Sequence, residues 1–328
     1  MTRARVAVVG GGISGIACAR ALHQAGLDVV VLDRGRRLGG RMASRRLRGT
    51  GLPYDGRVVD VGASYFTAAH PDFLGVVDAW VERGLARPWT DTFTVIDTEG
   101  GRAQAIGPVR YAAPGGLRSL VEDLAADLPQ VVNPREVEEV RRTATGWSVD
   151  GDEVDALVLA MPAPQAADLL PPDHAAQQVL GPMRYDPVLA LVAAYEERAW
   201  HSFDGIFVND SAVLTFVADD GARRGDGAPV LVAHSSSVLA ARHLDDPSGA
   251  LGIMLAALHH AIGADVDPAW AEVRRWSLAR PHTPTGVLCH LDDDLGICGD
   301  AWGRASRIET AWLSGDGLGT RLAARLAR

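Results

Sequence analysis

A chain of 328 residues with 47% hydrophobic content is long enough to bury two packed cores and reads as an ordinary globular protein. Its formal charge of -9 excludes a global attraction to nucleic acid or an anionic membrane, so a phosphate-bearing ligand has to be held by local arginines. All 32 basic residues are arginine, which excludes a Schiff base, a P-loop lysine and a lysine-held water. No stretch approaches the ~18 apolar residues of a membrane span, and Met1 to Arg5 leads straight into a strand-like run with no signal-peptide core. The expected location is cytoplasmic. Cys18, Cys289 and Cys298 are widely spaced in apolar runs and are expected as buried small hydrophobes.

The first element organises the rest. The apolar run Val6 to Val9 ends in Gly10, Gly12 and Gly15 of a G-x-G-x-x-G signature, a helix continues through Ile13 and Ser14 to Gly26, and a second apolar strand, Leu27 to Leu32, closes on Asp33. Gly10 permits the tight turn, Gly12 leaves no side chain between backbone and pyrophosphate, and Gly15 lets the helix pack closely. The helix start offers free N–H groups and a positive dipole end, and Asp33 is placed to accept from a ribose hydroxyl. The spacing predicts a βαβ dinucleotide site.

After Asp33, the run from Arg34 through Gly39, Gly40 and Arg41 to Met42 is either an exposed basic turn or a loop that extends the site toward a flavin ring, as FAD requires. Val58 to Thr67 begins as a strand and loses its alternation at Gly62 and Ala63, where small residues admit a flat ligand. Asp72 to Gly84 is predicted helical, with Phe73, Val76, Val77 and Trp80 on one face, and Thr92–Ile96 with Gly101–Ile106 is predicted as a hairpin. A helix follows over Leu117 to Leu128. Val131–Val140 and Gly146–Val149 read as a small meander, and Val154–Met161 as a buried strand that rejoins the parallel sheet.

The next long segment carries predicted strands over 188–195, 206–208, 214–217 and 230–234, a helix over 250–262, and turns at Asp219-Asp220-Gly221 and Gly225-Asp226-Gly227. An antiparallel sheet with a covering helix is the economical architecture. The strand 296–298, the turn at Gly299 and Asp300, and a final helix beginning near Glu309 form a second cofactor contact. Asp300 faces the ribityl or pyrophosphate linker, and the amides near Ala311, Trp312 and Leu313 face the flavin pyrimidine.

Taken together, the glycine signature, Leu38-Gly39-Gly40-Arg41-Met42, the run Asp60 to Thr67, Ala113-Pro114-Gly115-Gly116, Leu159 to Pro164, Arg275-Trp276 and Gly299-Asp300 resemble the flavin amine oxidase superfamily. Within it the run Gly62 to Thr67 and Met161-Pro162 resemble the renalases. The resemblance implies an α/β protein with a Rossmann-type FAD-binding domain of the p-hydroxybenzoate-hydroxylase kind and a mainly antiparallel-sheet plus helix substrate domain. The FAD-binding part is expected over 1–70, 108–165 and 284–328, and the substrate part over 71–107 and 166–283. Val137 is implied to touch the adenine through its backbone, and Met161 to lie beside the cofactor. The implied reaction is oxidation of isomeric (2- or 6-) dihydro-NAD(P), with hydride passing to the flavin N5 and electrons to oxygen as hydrogen peroxide.

The residues leave rivals open. An amine oxidase or desaturase of the same superfamily is the second enzyme reading, and a non-catalytic flavoprotein is the third. Direct hydride transfer asks mainly for positioning, which fits a chain without lysine. Tyr65, Phe66, Trp276, Trp302 and Trp312 are candidate aromatic walls or core residues, and Arg184, Arg198, Arg242, Arg275 and Arg280 are candidate phosphate partners or solvated side chains. Tyr65, His234 and Trp276 are the candidate catalytic residues, with His234 either facing the substrate or satisfied in the core. His259-His260 and Asp292-Asp293-Asp294 lack metal-ligand spacing, so no metal site is expected.

Overall fold

The computed structural model describes residues 3–327. Two sheets dominate it. The first has six strands in the order His290–Asp292, Leu295–Ile297, Ala156–Leu159, Arg5–Val9, Asp28–Leu32 and Val131–Val132, all parallel except the outermost pair, His290–Asp292 with Leu295–Ile297. Its central strands are continuously apolar because both faces are covered. From Arg5–Val9 the chain first moves to one side, and it returns on the other as Ala156–Leu159. That reversal opens a crevice at the carboxyl ends of these two strands, where Gly10 and Ala160 lie.

Two helices stack on this sheet with their backbones nearly touching. A Cβ on Gly315 would stand 1.9 Å from the Ser14 carbonyl oxygen, and one on Gly319 would stand 2.6 Å from that of Cys18. The C-terminal helix Ile308–Leu326 therefore lies flush on Ile13–Gln24 and carries the last segment back to the glycine turn. Cys18, Cys289 and Cys298 are free thiols buried in this region.

The second sheet has seven strands in the order Trp270–Pro281, Tyr185–Ala194, Val230–Ser235, Leu214–Asp219, Gly205–Val208, Arg87–Ile96 and Arg102–Ala112. All neighbours are antiparallel except Gly205–Val208 with Arg87–Ile96. Alternation sorts its faces: Val217, Leu231 and Ala233 pack with Met254 and Leu258 of the helix Leu251–Ile262, while Val230 and Val232 pack with Val59 and Val61. On the same strand His234 shares the second face, which looks toward the crevice.

Several expected elements take a different form. Val131–Val132 pairs in parallel with Asp28–Leu32, so the meander consists only of Val140–Arg142, Trp147–Val149 and Asp152–Val154. The hairpin runs longer than its expected ends: Pro108 is tolerated because Arg102–Ala112 is an edge strand, where a missing N–H faces no neighbour. The twelve-residue strand Trp270–Pro281 has no counterpart among the expected elements.

The expected turn at Asp219-Asp220-Gly221 is instead a buried five-residue helix, Asp220–Arg224, capped by the Asp219 carboxylate accepting from the Ala222 amide at 3.0 Å. Asp220 is 0% exposed and is paired with Arg57, Arg223 and Arg224. Arg224 continues to Asp60 at 2.8 Å, and Asp60 accepts from the Ser44 hydroxyl at 2.6 Å and the Leu117 amide at 2.9 Å. This network ties the second sheet to the strands Ser44–Arg46 and Val58–Asp60.

Candidate cofactor and substrate site

A cavity of about 1540 Å³ runs from the glycine turn to the inner face of the seven-stranded sheet. Its volume exceeds the roughly 300–1,000 Å³ of a single drug-sized ligand site, leaving room for a dinucleotide and a second molecule.

At one end the turn is built as its glycines require. Gly10 has φ +116°, and a Cβ there would press 2.4 Å from the Ala160 carbonyl oxygen. Gly12 has φ -79°, and a Cβ on it would meet nothing within 4 Å, so it faces open cavity. Gly15 is sealed against the Gly10 carbonyl oxygen and serves helix packing, not the cavity wall. Ile13 and Ser14 line the cavity, and the Ser14 hydroxyl is buried without a hydrogen-bond partner among the described residues. An orphaned hydroxyl beside free helix-start amides fits a pyrophosphate. The Asp33 carboxylate accepts from the amides of Gly11 at 2.5 Å and Gly35 at 2.7 Å, which fixes it at the cavity edge with lone pairs to spare for a ribose. Arg34 and Val137 line the same end.

Further along, Gly39, Gly40, Arg41, Met42, Gly62, Ala63, Met161, Gly299 and Asp300 form the middle of the cavity. Arg41 and Asp300 face each other as a two-pronged ion pair, with Nη1 donating to Oδ2 at 2.9 Å, and Arg41 also donates to the Ala279 carbonyl at 3.2 Å. The basic loop after the second strand is thus locked to the last strand and to Trp270–Pro281. Gly62 is a close approach in fact: a Cβ would sit 2.0 Å from the Arg41 carbonyl oxygen and 3.3 Å from the Trp276 ring. Trp276 donates through Nε1 to the Val61 carbonyl at 2.7 Å, which holds its ring edge against Gly62.

Two expected cofactor contacts are placed elsewhere. Glu309 is buried, and its carboxylate accepts from the amides of Ala69 at 2.6 Å and His70 at 2.7 Å, so it anchors the segment before the helix Pro71–Glu82. Trp312 packs in the core with Phe73, ring centres 5.6 Å apart. The free amides of the last helix also lie a turn earlier than expected. Ala311 lines the cavity, but its N–H is spent on the Arg307 carbonyl, which leaves the amides of Ile308, Glu309 and Thr310 as the unpaired helix start.

The far end is supplied by the seven-stranded sheet. Tyr65 packs against Phe93, Phe216 and Trp89, with ring centres 5.4, 5.9 and 6.3 Å apart. Of the expected aromatic walls, Tyr65, Phe66 and Trp276 line the cavity, and Trp302 is buried in the core. Arg275 and Arg280 line it, whereas Arg198 is paired with Asp219 and Arg184 caps the Gly181 and Met183 carbonyls. Arg110, which the sequence reading passed over, is a third arginine of this wall.

His234 lines the cavity with Nε2 buried and unpartnered among the described residues. Burial pushes its pKa down to about 4, with Arg223 and Arg280 adding to the fall and the Gly62 backbone offsetting part of it. The ring is therefore neutral at pH 7. An unfolded histidine takes up its proton near pH 6.5, so this group opposes folding as pH falls from 6.5 toward 4 and contributes no penalty above 6.5. In His234→Gln the acid limb between pH 6.5 and 4 is expected to flatten by on the order of 2–3 kcal/mol, measured by urea unfolding at stepped pH.

The parallel strands, the glycine turn at their switch point and the second sheet over the cavity define an α/β dinucleotide-binding protein. Residues 8–80 match the NAD(P)-binding Rossmann-like domain, and residues 73–316 match the flavin containing amine oxidoreductase family. The chain belongs to the flavin-containing amine oxidoreductase family, and FAD is its cofactor.

Among curated relatives, human flavin-containing amine oxidase B is 52% identical over 60 residues, 18% of this chain and 10% of that protein. The enzyme of the same name from Cavia porcellus is 32% identical over 138 residues, 38% of this chain and 24% of that one. The chain thus spans about a tenth to a quarter of the relatives it matches. Among solved structures, cyclohexylamine oxidase from Brevibacterium oxydans superposes with a TM-score of 0.78 at 16% identity, covering 99% of this chain and 100% of that one. Putrescine oxidase bound to putrescine gives 0.73 at 17%, covering 99% of both chains. Among the described residues no helix is long and apolar enough to cross a membrane.

Proposed function

We propose that the protein is an FAD-dependent oxidase whose substrate is an anionic hydride donor, an isomeric (2- or 6-) dihydro-NAD(P), with oxygen as acceptor and hydrogen peroxide as product. The observation that carries this reading is the charge of the substrate wall. Of the cavity residues on the seven-stranded sheet and its loops, Arg110 is a buried cation, Arg275 and Arg280 are exposed cations, His234 is neutral, and the sole carboxylate, Asp210, is exposed. An ammonium substrate finds no inward carboxylate there, whereas phosphates find cations.

FAD, when bound, supplies the two-electron acceptor. What the chain does is hold and exclude. Ser14, Gly12 and the helix-start amides hold the phosphates, Asp33 the ribose, and the Arg41–Asp300 pair fixes the loop beside the ring. Phe207, Phe216 and Trp276 keep water from the substrate end. Oxidation of a dihydropyridine to an aromatic ring requires no base, so a neutral His234 and a chain without lysine suffice; His234 orients the substrate as a hydrogen-bond partner.

The amine reading is favoured by a different observation, the family match itself and the fold shared with cyclohexylamine and putrescine oxidases. Tyr65 and Phe216 would then be the walls for an amine that binds uncharged. Aerobic turnover separates the two. With the 2- or 6-dihydro isomers, one hydrogen peroxide and one NAD(P)+ are expected per oxygen consumed. Peroxide formation from amines, with none from the isomers, overturns the proposal.

A further inference from the structure

One deeply buried charged side chain of the cavity has no carboxylate partner among the described residues. Arg110 lies on the edge strand Arg102–Ala112 and is 7% exposed. Its guanidinium carbon stands 4.0 Å from the centre of the Phe93 ring and 5.9 Å from that of Tyr65. These ring faces fix the plane of the guanidinium, but they satisfy none of its N–H groups in the way an oxygen does. Nη1 is buried and has no hydrogen-bond partner among the described residues. The other deeply buried arginines, Arg223 and Arg224, are both paired with Asp220. A guanidinium cannot shed its proton to escape burial, so Arg110 is built to receive an acceptor from outside the chain.

We propose that Arg110 is the anion-docking residue of the substrate site. An oxyanion of the substrate, phosphoryl or carboxylate, pairs with the guanidinium in the aromatic corner formed by Tyr65, Phe93 and Phe216. Phe216 lies 6.2 Å from His234, so the docked end is connected through that ring to the Gly62 end of the cavity, and the anion decides which end of the substrate points there. The inference rests on the reading of this wall as the substrate site and deepens it by naming the chemistry recognised. The flat fork of arginine, immobilised between rings, presents two parallel N–H groups to two oxygens, which the point charge of a lysine does not reproduce.

Calorimetric titration of the FAD-loaded protein tests this without turnover. Nicotinamide mononucleotide and nicotinamide riboside differ only by a phosphate; 5-aminopentanoate and pentylamine differ by a carboxylate. At least one anionic member is expected to bind about 30-fold more tightly than its partner, a phosphate preference and a carboxylate preference telling the two sources apart. In Arg110→Met the ratio is expected to fall to within about threefold, chiefly through loss of affinity for the member that carries the oxyanion, and Arg110→Lys to recover part of it. Equal binding of both pairs by the native protein, or a preference that survives in Arg110→Met, overturns the proposal. If Arg110→Met does not fold, the native ratios and Arg110→Lys decide. Because only binding is read, failure of the dihydronicotinamide isomers as substrates would sink the proposed reaction and leave this result standing, and the reverse holds equally.

Discussion

Replacing Asp220 by asparagine is expected to destabilise the protein by about 3–5 kcal/mol, the cost of leaving a buried ion network with an uncompensated charge. Arg57, Arg223 and Arg224 are balanced in this network by Asp60, Asp220 and Asp226, and Asp220 is the member that touches all three arginines. Asparagine keeps the shape and removes the charge while Arg223 stays 0% exposed. The damage spreads toward the site, because Arg223 donates to the Ser64 carbonyl at 2.8 Å and Arg224 to the carbonyls of Ala113 and Pro114, both at 3.1 Å. Asp226→Asn is the control: its carboxylate is partly exposed, and a loss below about 1 kcal/mol is expected. Urea unfolding of the three proteins measures the difference. The pH dependence has a definite sign. The three guanidinium groups hold the Asp220 carboxyl well below the usual carboxylate range, so its stabilisation is present above about pH 4 and is lost as pH falls through the depressed value. Asp220→Asn should lack that acid limb.

Gly12→Val is expected to abolish FAD binding, with at least a 100-fold loss of cofactor affinity, while the fold survives. The position has an ordinary φ of -79° and open space where the new side chain would stand, so valine fits the apoprotein. That open space is the path of the pyrophosphate. The folding cost is on the order of 1 kcal/mol, the difference between glycine and a β-branched residue at a helix N-cap. Gly15→Ala separates fold from binding in the opposite sense: its Cβ would stand 1.9 Å from the Gly10 carbonyl oxygen, so stability and cofactor are expected to fall together. Flavin absorbance after purification and thermal unfolding of both apoproteins give the comparison.

The cofactor half was legible because its constraints are local. A turn that only glycine can make, an apolar strand covered on both faces and an acid at the end of the second strand lie within 33 residues. The substrate half was less so. Trp270, Val273 and Trp276 sit at intervals of three on a strand whose residues are mostly half-buried, so no period-two pattern announces Trp270–Pro281. Asp219-Asp220-Gly221 has the composition of a turn, and the partners that let it be a buried helix include Arg57, Asp60 and Arg198, distant in sequence. Arg110 follows Gly107-Pro108, which reads as a strand's end and is in fact an edge strand continuing. A place at a helix start makes Glu309 and Trp312 look like cofactor contacts, but the first turn faces two ways: Ala311 meets the cavity, while Glu309 and Trp312 meet the Pro71–Glu82 side.

Anaerobic mixing of the FAD-loaded protein with single equivalents of candidate donors addresses the proposed chemistry most directly, followed by loss of the oxidised flavin absorbance. The 2- and 6-dihydro isomers of NAD(P)H should bleach it within a single turnover, and cyclohexylamine and putrescine should leave it yellow. Bleaching by an amine, with the isomers inert, would contradict the proposed reaction and make the cationic wall the feature left to explain.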